Sequence, residues 1–110
     1  MNTTLHLRGV SRPQEIRRFA TSRLQRALGR FPHVVRSISI DIHDENGPKG
    51  GEDMRGKLIL TTRDGETLVL VDRGTSAAAT ISALTRRARQ RLGRHLERLH
   101  GRRRGIARAS

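Results

Sequence analysis

Over residues 34–43 the chain alternates. Ile38, Ile40 and Ile42 fall on one side of an extended segment, and Ser37, Ser39, Asp41 and His43 fall on the other. A period of two with branched aliphatics on one side only is the pattern of a half-buried strand. It constrains the whole fold: a sheet built on this strand has one apolar face that must be covered and one polar face that meets water.

The flanking segments supply the rest of the sheet and its cover. Residues 3–8 alternate in the same way, with Leu5 and Leu7 opposite Thr4, His6 and Arg8. Residues 57–62 and 67–72 predict two further strands. Arg63, Asp64, Gly65 and Glu66 join them, and Asp-Gly between apolar runs is a hairpin signal. Ile16, Phe19, Ala20, Leu24, Ala27, Leu28 and Phe31 follow helical spacing. Ser11 is the expected cap of that helix, with Gln14 three residues on and Pro13 in the first turn, and Gly29 and Pro32 end it. Thr75 or Ser76 caps a second, longer helix whose apolar stripe is Ile81, Leu84, Ala88, Leu92, Leu96 and Leu99, with Gly101 as its expected stop. The order strand, helix, three strands, helix predicts one α+β domain over residues 1–101, βαβββα, with a four-stranded sheet and two helices on one face. Residues 102–110 are expected to be a basic, disordered tail, either a phosphate-seeking arm or a solubilising end.

The core of such a domain is thin. The chain has 110 residues, and Phe19 and Phe31 are its only aromatics. Marginal stability, raised by a bound partner, is the expectation.

Charge names the kind of partner. There are 23 basic and 10 acidic residues, a formal net charge of +13, and all the basic residues except Lys49 and Lys57 are arginine. Such an excess repels itself in a compact state and favours a polyanion. Arginine suits phosphate because its planar fork bonds two oxygens at once. On the second helix Arg87, Arg91, Arg94 and Arg98 recur at i, i+4, i+7 and i+11, sharing roughly 60° of arc. The first helix does something similar with Arg23, Arg26 and Arg30. Ordinary solvated helix faces mix signs to gain i,i+4 pairs, and like charges at that spacing cost stability. Residues 86–108 instead hold ten arginines against Glu97 alone. Two parallel basic ridges that can follow a nucleic-acid backbone explain this arrangement better than solvation does.

Other motifs point away from catalysis. GEDMRGK over residues 51–57 has the spacing of a phosphate loop. However, Leu58 stands where a magnesium-binding Ser or Thr belongs, and a strand follows instead of a helix. Without cysteine there is neither a disulfide framework nor a thiolate metal site. His6, His33, His43, His95 and His100 do not cluster at ligand spacing, and His95, beside the apolar stripe, is expected to be a packed edge residue. Asp41, Asp44, Glu45, Glu52 and Asp53 crowd a Gly-rich loop. That loop is either a polar turn or a contact for a cation or basic protein. Residues 1–10 hold no long apolar run, so neither a signal peptide nor a membrane span is expected. No enzyme, metal, cofactor or small-molecule substrate is expected.

Taken in order, IRRFATSRL over 16–24, RFPHV over 30–34, DENGPKGG over 44–51 and DRGTSAAATIS over 72–82 resemble the hibernation-promoting factor and ribosome-associated inhibitor family, also called the protein Y or sigma-54 modulation family, in its short form. The first two resemble the family's first helix and its exit into the second strand. The third resembles a strand loop of a short-form branch, and the fourth resembles the opening of the second helix. Ala78 stands where the family usually has an aromatic, Ser82 where it often has Asp or Asn, and Gln90 at an often basic position. The resemblance implies a domain arranged like a double-stranded-RNA-binding fold. It also implies a cytoplasmic, stress-response translation regulator that binds rRNA of the small ribosomal subunit at the mRNA and tRNA channel and is monomeric off the ribosome. The carried-over RNA contacts are Arg23, Arg26, Arg30, Arg87, Arg94 and Arg98; Arg91 joins them on spacing alone. The competing readings are a general RNA- or nucleoid-binding module without a ribosomal site, and a protein-interaction regulator.

Overall fold

The computed structural model describes residues 1–45 and 53–109, with 102–109 described by backbone alone. The elements are β1 (Asn2–Arg8), α1 (Pro13–Leu28), β2 (Val35–Asp44), β3 (Met54–Thr62), β4 (Thr67–Gly74) and α2 (Ala77–Ala109). This is the α+β, βαβββα order expected from the periodicities. The strands form one mixed sheet in the order β1-β2-β3-β4. β1 runs parallel to β2, and the other two pairs are antiparallel.

Register puts the apolar halves of all four strands on one face. Leu5 is opposite Ile40, Ile40 opposite Leu58, and Leu58 opposite Leu70. Both helices cover that face. Leu24 and Leu28 of α1 and Ile81, Leu84, Ala88 and Leu92 of α2 share one buried cluster with the strand residues. The other face is open, and Val69 and Val71 of the edge strand β4 stand half exposed on it. Close approach of α2 to the sheet depends on Gly56 of β3. A Cβ there would lie 2.6 Å from Thr80 Cγ2 and 2.8 Å from both Ile42 Cδ1 and Leu84 Cδ1.

The helix termini depart from expectation in two places. Ser11 does not cap α1. The cap position is Arg12, at φ 53°, with no side-chain hydrogen bond. Pro13 is the reason: at the first helical position it has no N–H to satisfy, and its ring bars the preceding residue from the right-handed helical region. Gly101 does not end α2, whose backbone continues to Ala109. A helix-interior glycine costs only about 1 kcal/mol relative to alanine, and the leucines and arginines around it are good helix formers. The boundary expected between residues 1–101 and 102–110 is therefore not marked by a helix end. Ser76 does cap α2, its Oγ accepting the Ala79 N–H at 3.1 Å. Most of the Gly-rich acidic loop, including Glu52, lies outside the described residues, as do the side chains of the expected tail.

Candidate nucleic-acid interface

Hydrogen bonds from three arginines orient the two helices on the sheet. Arg17 Nη1 of α1 donates to the Leu5 carbonyl of β1 at 3.2 Å. Arg23 of α1 donates to Ser82 Oγ of α2, through Nη2 at 3.0 Å and Nε at 3.3 Å. Arg87 of α2 donates to the Val71 carbonyl of β4 at 2.8 Å. So α1 lies over the β1 side and α2 over the β4 side, and Arg23 and Ser82 meet at the seam between them. The Arg23 guanidinium also sits 5.5 Å from the centroid of the Phe19 ring, a cation–π distance.

Helical spacing extends this seam. Arg26 and Arg30 follow Arg23 at i+3 and i+7. Arg86 and Arg89 follow Ser82 at i+4 and i+7. Arg26, Arg30, Arg86 and Arg89 are all exposed, and none has an ion pair among the described residues. The structure thus brings Arg23 of the sequence-derived set against α2, with Arg26 one turn further along the same side of α1 and Arg30 just past its end; the facing flank of α2 carries two arginines the sequence reading omitted.

The stripe Arg87, Arg91, Arg94 and Arg98 takes a different position. Arg87 is five residues beyond Ser82, about 140° round the helix, and so faces β4 instead of α1. Two members of this stripe have acidic partners. Arg87 Nη1 is 3.6 Å from Asp72 Oδ2, and Arg98 Nη2 is 3.6 Å from Glu66 Oε1. Arg91 and Arg94 are exposed and without an ion pair among the described residues. The two expected ridges therefore do not face each other. The α1 ridge lies along the seam, and the α2 stripe lies on the margin of α2 toward β4, away from it. The omitted pair carried a signal of its own, a basic i, i+3 spacing on the other margin of the apolar stripe.

At the end where α1 stops and α2 continues, His95 packs under the β3–β4 hairpin. As expected it is a packed residue, but it is fully enclosed. Its Nε2 is 3.1 Å from Asp64 Oδ2, and its Nδ1 is 3.1 Å from Glu66 Oε2. Both ring nitrogens face carboxylates at hydrogen-bonding distance. The Thr62 hydroxyl donates to Asp64 Oδ1. That bond and the nearby His95 hold the Asp64 carboxyl below its usual range. Among the described residues no group of three or more His, Asp or Glu side chains is placed to hold a metal. No described helix is long and apolar enough to cross a membrane.

No family model matches the chain, and no curated protein matches it in sequence. Solved structures do match. A ribosomal subunit interface protein from Coxiella burnetii superposes with a TM-score of 0.73 at 14% identity, over 88% of this chain and 99% of that one. The N-terminal domain of Protein Y from Thermus thermophilus superposes with a TM-score of 0.68 at 16% identity, over 86% of this chain and 99% of that one. At such identities the likeness is one of fold, and the fold is the one that the resemblance to the hibernation-promoting factor family implies.

Proposed function

We propose that this chain is a ribosome hibernation factor that binds small-subunit rRNA at the mRNA and tRNA channel and blocks translation in idle cells. The observation that carries the reading is the basic surface of the helix pair. Exposed arginines of both helices flank the Arg23–Ser82 contact, and acidic partners are missing there among the described residues. A surface of that charge suits phosphate backbones read by shape, with little base discrimination. The Coxiella protein of the same fold is a ribosomal subunit interface protein.

On this reading the contacts are Arg23, Arg26, Arg30, Arg91, Arg94 and, once freed from their carboxylates, Arg87 and Arg98, with Arg86 and Arg89 added. The mechanism is steric occlusion in the cytoplasm by a monomer, and it calls for no catalysis and no cofactor. Sedimentation with purified small subunits tests it. The protein should co-sediment at low salt and be displaced by tRNA with mRNA, whereas bulk duplex RNA at equal phosphate should not displace it selectively. Equal displacement by both competitors would favour a general RNA-binding module.

A further inference from the structure

The seam leads to a cavity. Leu96 and His100 lie fourteen and eighteen residues beyond Ser82, about four and five helical turns, and so continue the seam's flank of α2 past the end of α1. There, with His33, Val34, Asp64 and Leu99, they line a cavity of about 570 Å³. Arg63, also in its wall, is anchored by its Nε, which donates to the Pro32 carbonyl at 3.0 Å. The size lies within the range of about 300–1,000 Å³ typical of small-ligand sites.

The chemistry of the walls is specific. Val34, Leu96 and Leu99 supply apolar surface. His33, His100 and Arg63 supply flat π-systems of the kind on which unstacked bases lie. Asp64 supplies the polar recognition. Its side chain is 43% exposed, and the Thr62 hydroxyl and His95 fix its orientation. An ionised carboxylate offers about four acceptor sites and no donor. It therefore repels phosphate and selects a neutral group with adjacent donors. Guanine presents two on its Watson–Crick edge, N1–H and the 2-amino group; adenine, cytosine and uracil present one donor group each. A cationic peptide would match Asp64, but the arginines along the approach repel it.

We propose that this cavity receives one unpaired guanine of the bound RNA, its Watson–Crick edge on Asp64 and its face against the rim of imidazole and guanidinium planes. The inference rests on the seam binding RNA, and it names the base that the phosphate track delivers.

The test uses the full chain and fluorescence anisotropy at 50 mM salt, with labelled single-stranded RNA pentamers of adenosine whose central base is guanine, inosine or adenine. Guanine should bind roughly tenfold more tightly than adenine, with inosine, which lacks the 2-amino donor, between them. Asp64→Ala should abolish the preference. Because Asp64 also supports His95, the exposed His100→Ala is the second variant, and it should weaken the guanine pentamer roughly fivefold. Equal binding of all three pentamers with a normal salt dependence would overturn the cavity assignment and leave the arginine seam standing. A guanine preference that survives in both variants would overturn it as well. Failure to bind any RNA would overturn both readings.

Discussion

The seam and the β4 margin of α2 predict effects of different size for the same loss of charge. Consider two double variants, Arg26→Gln with Arg89→Gln, and Arg87→Gln with Arg98→Gln. Each removes two positive charges, so long-range attraction to RNA falls equally. Their local states differ, because Arg87 and Arg98 already have carboxylates at 3.6 Å and the seam pair has none among the described residues. Each phosphate neutralised contributes about 0.7 to the slope of log affinity against log salt for single strands and about 0.9 for duplex DNA. Loss of two full contacts should therefore flatten the slope by about 1.4 to 1.8. Over a fourfold rise in salt, from 50 to 200 mM, the wild type should lose roughly 7- to 12-fold more affinity than the seam variant does. The margin variant should lose less than half of that slope, since a phosphate reaching Arg87 or Arg98 must first displace Asp72 or Glu66. Filter binding of a labelled rRNA fragment across that range measures both. A margin variant whose slope falls as far as the seam variant's would refute the placement of the interface.

Three further outcomes follow from the packing. Leu84→Ala, at a site with no solvent exposure, should lower stability by about 2–5 kcal/mol in urea titration, and a loss under 1 kcal/mol would contradict the shared core. Gly56→Ala should cost about 1–3 kcal/mol by overpacking, because its Cβ would meet Thr80, Ile42 and Leu84 inside contact distance; neutral behaviour would mean that α2 can lift off β3 freely. Asp64 has a folded-state carboxyl pKa below its ordinary value of 3.8, through the Thr62 hydroxyl bond and His95. Its contribution is present in full above that value and lost as pH falls through the lower folded one. Thermal melts between pH 5 and pH 2 should show the acid-induced drop shrink in Asp64→Asn, and an unchanged drop would remove Asp64 from the account.

The sheet was legible because alternation is unambiguous. Once Ile38, Ile40 and Ile42 share a face, Leu58, Leu60, Leu68 and Leu70 must point to it as well, because a one-residue slip would turn them to water. The helices were legible as elements, and Ile81, Leu84, Ala88 and Leu92 as the buried face of α2, but not which flank of α2 meets α1. The apolar stripe of α2 has two margins, one bearing Arg87, Arg91, Arg94 and Arg98 and the other Arg86 and Arg89. Periodicity alone does not say which margin meets α1. Strand order decides it, through the right-handed β1-α1-β2 crossover that puts α1 beyond β2 from α2. The richer margin drew the expectation, and it is the margin that faces β4. His95 was read correctly as packed, but its two carboxylate partners come from a hairpin thirty residues away in sequence, a distance at which local pattern carries no information. The termini failed for a simpler reason: caps are decided by single residues, and one proline outweighed a serine two positions earlier.

The bond from Arg87 to the Val71 carbonyl has a use apart from RNA. β4 is an edge strand whose half-exposed valines and free backbone groups would otherwise offer a template for strand addition by a second molecule. A guanidinium lying across the middle of that edge, itself tethered to Asp72, occupies an acceptor that an incoming strand would need. The same side chain thus guards solubility, and a chain that gives up this arginine exchanges a cation for a sticky border.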